Sequence, residues 1–102
     1  METKTLGSGE SIRVDYAGPT GGLVRVNARA SDSLDIRIED SDGTVLASSD
    51  RQTDHLLTAR VVHNARWSLV LTNTSEASFD VQYRVVSEHS WGTSEAVALF
   101  TS

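Results

Sequence analysis

Apolar and polar residues alternate one for one along most of this chain, and a period of two is the signature of β-strands. ESIRVDY sets Ile12, Val14 and Tyr16 against Arg13 and Asp15. LVRVNARA sets Val24, Val26, Ala28 and Ala30 against Arg25, Asn27 and Arg29, and LDIRIED sets Leu34, Ile36 and Ile38 against Asp35, Arg37 and Glu39. RWSLVLTN sends Trp67, Leu69 and Leu71 one way, and FDVQYRVV does the same with Phe79, Val81, Tyr83 and Val85. Successive strand side chains point to opposite faces, so each run describes a sheet with one buried and one wet face.

Turn chemistry separates the runs. AGPTGG carries Pro19 and a glycine pair, SDS interrupts the next alternation, and Asp42-Gly43 is a tight-turn signal. SSDRQTD reads as a polar loop and NTSEAS as a hairpin connection, its Asn73, Thr74 and Ser75 able to bond their own backbone. HLLTARVVH is a strand of ambiguous phase, because Leu56 and Val62 share one face while Leu57 and Val61 share the other. Seven strands follow, with ETKTL and AVALFTS as candidate additions at the two ends. The expected fold is all-β, an antiparallel β-sandwich of jelly-roll type with seven to nine strands. Residues 1–87 form the sandwich, and residues 88–102 are an apolar segment, either an extra strand or an interaction tail. The expected core is Ile12, Val14, Val26, Ile36, Ile38, Trp67, Leu69, Leu71, Phe79, Val81, Tyr83 and Val85.

Composition narrows the function. The 102 residues suit one domain that buries roughly two thirds of its unfolded surface. A net charge of -5 disfavours nonspecific nucleic-acid binding and docking on anionic membranes, although eight of the nine basic residues are arginine and a local basic patch stays open. There is no cysteine, which removes disulfides, thiolate zinc sites and cysteine nucleophiles. METKTLGSGE has no apolar signal region and no apolar run is long enough to span a membrane, so a soluble cytoplasmic protein is expected. A secreted domain made without its leader would look the same.

The stretch SLDIRIEDSDGTVLASS, followed by a polar segment, a strand and RWSLVLTNTSEASFDVQYRV, resembles the GOLD-like and pre-peptidase C-terminal-like β-sandwich families. The matching residues are Asp35, Asp42, Gly43, Trp67, Leu69, Leu71, Asn73, Ser75, Val81, Tyr83 and Val85, over residues 10 to 87. His63, Asn64 and Ala65 stand where those families usually place a glycine before the aromatic strand. The resemblance implies a non-catalytic accessory or cargo-contacting module.

Spacing argues against catalytic and metal constellations. His55 and His63 lie eight residues apart, about 26 Å along a strand, too far to share a metal. EDSDGT begins like a calcium loop, but Val45 and Arg51 occupy the positions that need glycine and glutamate. A looser calcium site from Asp32, Asp35, Asp40 and Asp50 stays open. No serine sits in a nucleophile elbow, and Gly7 and Gly9 form no phosphate loop. No cofactor, metal or catalytic residue is expected, and the chain is read as a non-enzyme.

What remains is apolar surplus. Val70 and Val86 lie on outward phases, Leu46 and Leu56 or Leu57 add to them, and Trp91, Leu99 and Phe100 fall outside the sandwich pattern. Large exposed apolar patches mark interfaces. The expected function is therefore protein interaction, by self-association into a homo-oligomer or a larger protein assembly, through an outer sheet face and the C-terminal segment. Val70, Val86, Trp91, Leu99 and Phe100 are the candidate contact residues. The alternative is a ligand-binding accessory domain for carbohydrate or calcium.

Overall fold

The computed structural model describes residues 2–17, 22–60, 66–89, 92–95 and 98–101, with side chains described through residue 86. They form eight strands: β1 (Glu2–Leu6), β2 (Ser11–Ala17), β3 (Leu23–Asp40), β4 (Val45–Arg60), β5 (Arg66–Asn73), β6 (Phe79–His89), β7 (Gly92–Glu95) and β8 (Ala98–Thr101). All pairings are antiparallel within a single hydrogen-bonded sheet, whose main path runs β1-β6-β3-β5-β2-β8. The expected all-β, antiparallel architecture is what the chain adopts.

The long strand β3 organises the sheet. Its first part, Leu23 to Ala30, pairs with β6, and its second part, Leu34 to Asp40, pairs with β5. The opposite side of both parts is covered by β4. The chain therefore has two halves, β1-β6-β3-β4 and β8-β2-β5-β3-β4, that share β3 and β4 and bend between them. The bend curls the sheet, so that Leu6, Tyr16, Val26, Ile36, Leu57, Trp67 and Tyr83, from six different strands, belong to one buried cluster. Eleven of the twelve expected core residues are buried; Ile12, nearer a strand end, is partly buried and packs against the cluster.

Three sequence expectations are corrected by this topology. SDS does not end a strand, because β3 runs through it with a register shift between Arg29 and Leu34. SSDRQTD is strand, not loop: it lies within β4, and it looks like a loop because most of its side chains face solvent and it has no apolar phase. NTSEAS is not a hairpin, because β5 and β6 do not pair with each other. Both pair with β3, end to end, and NTSEAS carries the chain from one half to the other. The Asp42-Gly43 turn does close a hairpin, β3–β4, with Gly43 at φ 89 and Asp40 N–H bonded to the Thr44 carbonyl at 2.8 Å. His63, Asn64 and Ala65, before the aromatic strand, lie outside the described residues.

Bending a sheet exposes backbone groups that must find partners. Asn73, fully buried at the end of β5, supplies them. Its Nδ2 donates to the Leu6 carbonyl at 3.0 Å and the Ala77 carbonyl at 2.8 Å. Its Oδ1 accepts from the Ser75 N–H and Oγ, each at 2.8 Å. Its backbone N–H donates to the Glu10 carbonyl and its carbonyl accepts from Gly9 N–H, each at 2.9 Å. Next to it Thr74 N–H reaches the Ser33 carbonyl at 3.1 Å, in the middle of β3. Three crossings between the halves, at residues 7–10, 31–33 and 74–78, thus meet at Asn73 and Thr74.

The fourth crossing is in β4. Arg51 adopts φ 53, in the left-handed region, and Asp35 Oδ1 accepts its N–H at 2.7 Å. His55, also buried, fills the inside of this bend, its Nδ1 against Ser49 Oγ at 2.7 Å and its Nε2 against the Gln52 carbonyl at 2.9 Å.

Two outcomes are expected. Asn73→Ala leaves the buried Leu6 carbonyl without its Asn73 donor and the Ser75 N–H without its acceptor, each costing about 1–3 kcal/mol, and should lower the melting temperature by more than about 5 °C. A fall of under about 2 °C would show that the corner does not depend on this amide. Arg51→Gly should raise the melting temperature by a few degrees, because relief of about 1–2 kcal/mol of left-handed strain exceeds the roughly 0.5–1 kcal/mol entropic cost of glycine. Thermal melts followed by circular dichroism read both.

Candidate functional site

The two outer faces of the curled sheet differ. On the β2-β5-β3 face, the register places Val70 between Arg13 and Arg37, and Ser68 between Asp15 and Glu39. Arg13 Nη2 donates to Glu39 Oε1 at 2.6 Å, Arg37 Nε donates to Glu39 Oε2, and Ser68 Oγ donates to Asp15 Oδ1. Glu39 is thereby held beneath two arginines and is only 5% exposed. Burial pushes its carboxyl up, but the bonds and charges of Arg37 and Arg13 outweigh burial and hold it below the ordinary value.

This network corrects the expectation for Val70. Alternation places it outward, and it does lie opposite the phase of Leu69 and Leu71. It is nevertheless only 6% exposed, since the two flanking arginines span it. Long arginine stems shield apolar surface while their heads stay wet, so Val70 offers no contact patch. Val86 is half-buried, with Arg25 on one side and Glu95 on the other by register. Trp91 lies outside the described residues. Leu99 and Phe100 belong to β8, whose backbone pairs with β2 in the same chain, Phe100 opposite Asp15. β7 likewise pairs with β6. The described parts of the C-terminal segment thus extend both halves of the sheet.

The other outer face, β6-β3-β4, holds a shallow groove of about 400 Å³ lined by Asn27, Arg29, Asp54, Leu56 and Gln82. Arg29 Nε meets Asp54 Oδ1 at 2.7 Å across its floor, between two well-exposed side chains. Leu56 is 62% exposed. The sequence leaves the phase of HLLTARVVH open; the structure sends Leu57 inward and Leu56 outward. That choice is what creates the groove, and its signal is which leucine faces the paired Val26. A second hollow of about 380 Å³ lies at the β3–β4 turn, between Arg13, Asp40, Arg66 and Ser68.

Several of the described groups able to do chemistry are tied into the frame. Both His55 nitrogens are bonded, Asp35 holds Arg51, Asp54 holds Arg29, and Asp80 Oδ1 accepts from Thr5 Oγ1 at 2.6 Å. Among the described residues no three histidine, aspartate or glutamate side chains converge as metal ligands. Asp32 and Asp40 each cap the N–H of the next residue, at 2.7 Å, in turns at separate places on β3. The aromatics Tyr16, Trp67, Phe79 and Tyr83 are all buried, with Tyr16 stacked on Trp67 at 4.5 Å. Burial pushes the Tyr16 and Tyr83 hydroxyls up, so both stay neutral in the core. Among the described residues no helix is long and apolar enough to cross a membrane.

No family model matches the sequence, and no curated protein matches it. Solved structures do. A de novo designed double-stranded β-helix, determined by NMR in solution, aligns with 82% of this chain and 95% of its own. Its TM-score is 0.54 at 15% identity, which is a likeness of fold. The A domain of epithelial adhesin 9 from Candida glabrata, crystallised with Galb1-4GlcNAc, aligns with 89% of this chain and 49% of its own, at TM-score 0.49 and 10% identity.

Glu39 yields a pH-dependent expectation. A carboxyl with a depressed folded-state pKa contributes stability above its ordinary value of 4.5, lost as pH falls through the lower folded value. Glu39→Gln should therefore be less stable than the parent at pH 7, and the gap should narrow by pH 3. Urea unfolding of both proteins at the two pH values measures it. A gap of the same size at both would mean that the Glu39 charge does not stabilise the fold.

Proposed function

We propose that this chain is a non-enzymatic β-sandwich of jelly-roll type that works by protein contact, and that it binds another copy of itself. One observation carries the reading. Among the described residues, the most exposed large apolar side chains, Leu56 and Val45, both lie on β4, which there has a strand neighbour on one side only. An exposed leucine alone means little. An exposed leucine on a long sheet edge, with backbone groups available for a further strand, is a docking surface. The likeness to a designed double-stranded β-helix supports the jelly-roll form of the proposal. The sequence pattern alone supports kinship with GOLD-like or pre-peptidase C-terminal-like modules.

The non-enzymatic part is favoured by the structural employment of the candidate acids and of His55. The carbohydrate alternative would need an exposed aromatic platform, and four of the aromatics are core. Calcium would need converging acids, and the described ones are dispersed.

Light scattering over a dilution series decides the proposal. The chain mass is 11.0 kDa. A mass of twice that or more at tens of micromolar, falling on dilution, is expected. A single chain mass up to several hundred micromolar would overturn it.

A further inference from the structure

Sheet edges are normally blunted against pairing with other chains by shortness, bulges or inward-pointing charge. The edges of this sheet differ in how far they are blunted. β7 and β8 have four residues each. β1 has five, and Glu2 and Lys4 fall on the same phase as the buried Leu6. β4 has sixteen, and its bulged, bent part ends near Gln52. From Asp54 to Arg60 it pairs without interruption with Arg29 to Leu23, and its other side has no strand partner among the described residues. The inward positions of this stretch hold His55, Leu57 and Ala59, which are buried and carry no unpaired charge. The outward positions hold Asp54, Leu56, Thr58 and Arg60, all exposed.

We infer that residues 54–60 of β4 pair with the same residues of a second copy, antiparallel and about a two-fold axis that passes midway between the two Leu57 residues. This rests on the self-association proposed above and specifies its register. In a two-fold antiparallel pair, facing residues must lie on the same face of the sheet. The register is therefore limited to centres one residue apart. With Leu57 at the centre, Asp54 faces Arg60 of the second copy and Arg60 faces its Asp54. Leu56 faces Thr58, and Leu57 faces Leu57. A centre at Leu56 would set Asp54 against Thr58, and a centre at Thr58 would set Leu56 against Arg60. Among these three, only the Leu57 register places opposite charges across the junction, twice. Asp54 already accepts from Arg29 within its own chain, and a carboxylate has acceptor sites for both guanidinium groups. The junction joins β1-β6-β3-β4 of each copy into one continuous eight-stranded layer, in which the two inward leucines meet at the seam.

Charge reversal tests the register with side chains that lie outside the core. Dissociation constants are measured by sedimentation for the parent, Arg60→Asp, Asp54→Arg and the double variant. Each single reversal sets like charges opposite each other twice per dimer and should weaken association about tenfold or more. The double variant restores opposite charges and should return to within about threefold of the parent. As an independent measurement, Leu57→Cys should form a disulfide-linked dimer under mild oxidation, since the chain has no other cysteine, whereas Leu56→Cys should not. A parent that stays monomeric overturns self-association and this register with it. A dimeric parent whose single reversals bind like the parent, or whose double variant fails to recover while Leu57→Cys does not crosslink, overturns the register alone.

Discussion

A bent sheet stands or falls on what happens to the backbone at the bend, and here that problem converges on one buried amide. Asn73 faces two carbonyls that need donors and a Ser75 N–H and hydroxyl that need an acceptor. A carboxamide has both functions on adjacent atoms. An aspartate would lose the donors and bury a charge, and a serine would be too short to serve both carbonyls. Because the Leu6 and Ala77 carbonyls belong to the crossings into β2 and β6, the one side chain fixes how the two halves of the sheet join. The packing of Tyr16 on Trp67 and of β6 beneath them follows from that closure.

The two outer faces solve the exposure problem differently. On one, Arg13 and Arg37 converge on Glu39 and shield Val70. Pairing an acid with two bases there leaves one surplus positive charge among Asp15 and Asp35, so the charges of that face are interspersed and Val70 is covered. On the other, Arg29 and Asp54 pair in the open and leave Leu56 beside them uncovered. The contrast makes the second face, and the edge that bounds it, the more accessible to a partner.

Alternation alone makes the faces legible. It assigns Leu34, Ile36 and Ile38 to the core, and Trp67, Leu69 and Leu71 with them, because a one-residue slip would bury charges. Connectivity is less legible. NTSEAS has the residues of a hairpin turn, and Asn73 does bend the chain there, but local turn chemistry does not say which strand comes next to which. SSDRQTD has the look of a loop because an edge strand at a bend needs no apolar phase, and its pairing is set by β3. Val70 follows its phase but not its exposure: one covering arginine, Arg13, lies more than fifty residues away along the chain, and the other, Arg37, more than thirty. The groove at Leu56 depends on a choice between two adjacent leucines, and the strand opposite them makes it.

The sharing of β3 and β4 by both halves also governs how the chain can reach this state. Glu2 sits opposite Tyr83 and Ser11 opposite Thr72, so the two N-terminal strands acquire neighbours only from β5 onward. The β3–β4 ribbon is the one long ladder that closes locally, through a four-residue turn. Pairings of such sequence separation form slowly, because loop closure precedes any reward from contact. On a ribosome, β1 and β2 would emerge first and remain unpaired until β5 and β6 had followed. Neither half can then complete itself as an independent unit, and the molecule matures from its central ribbon outward rather than from its beginning to its end.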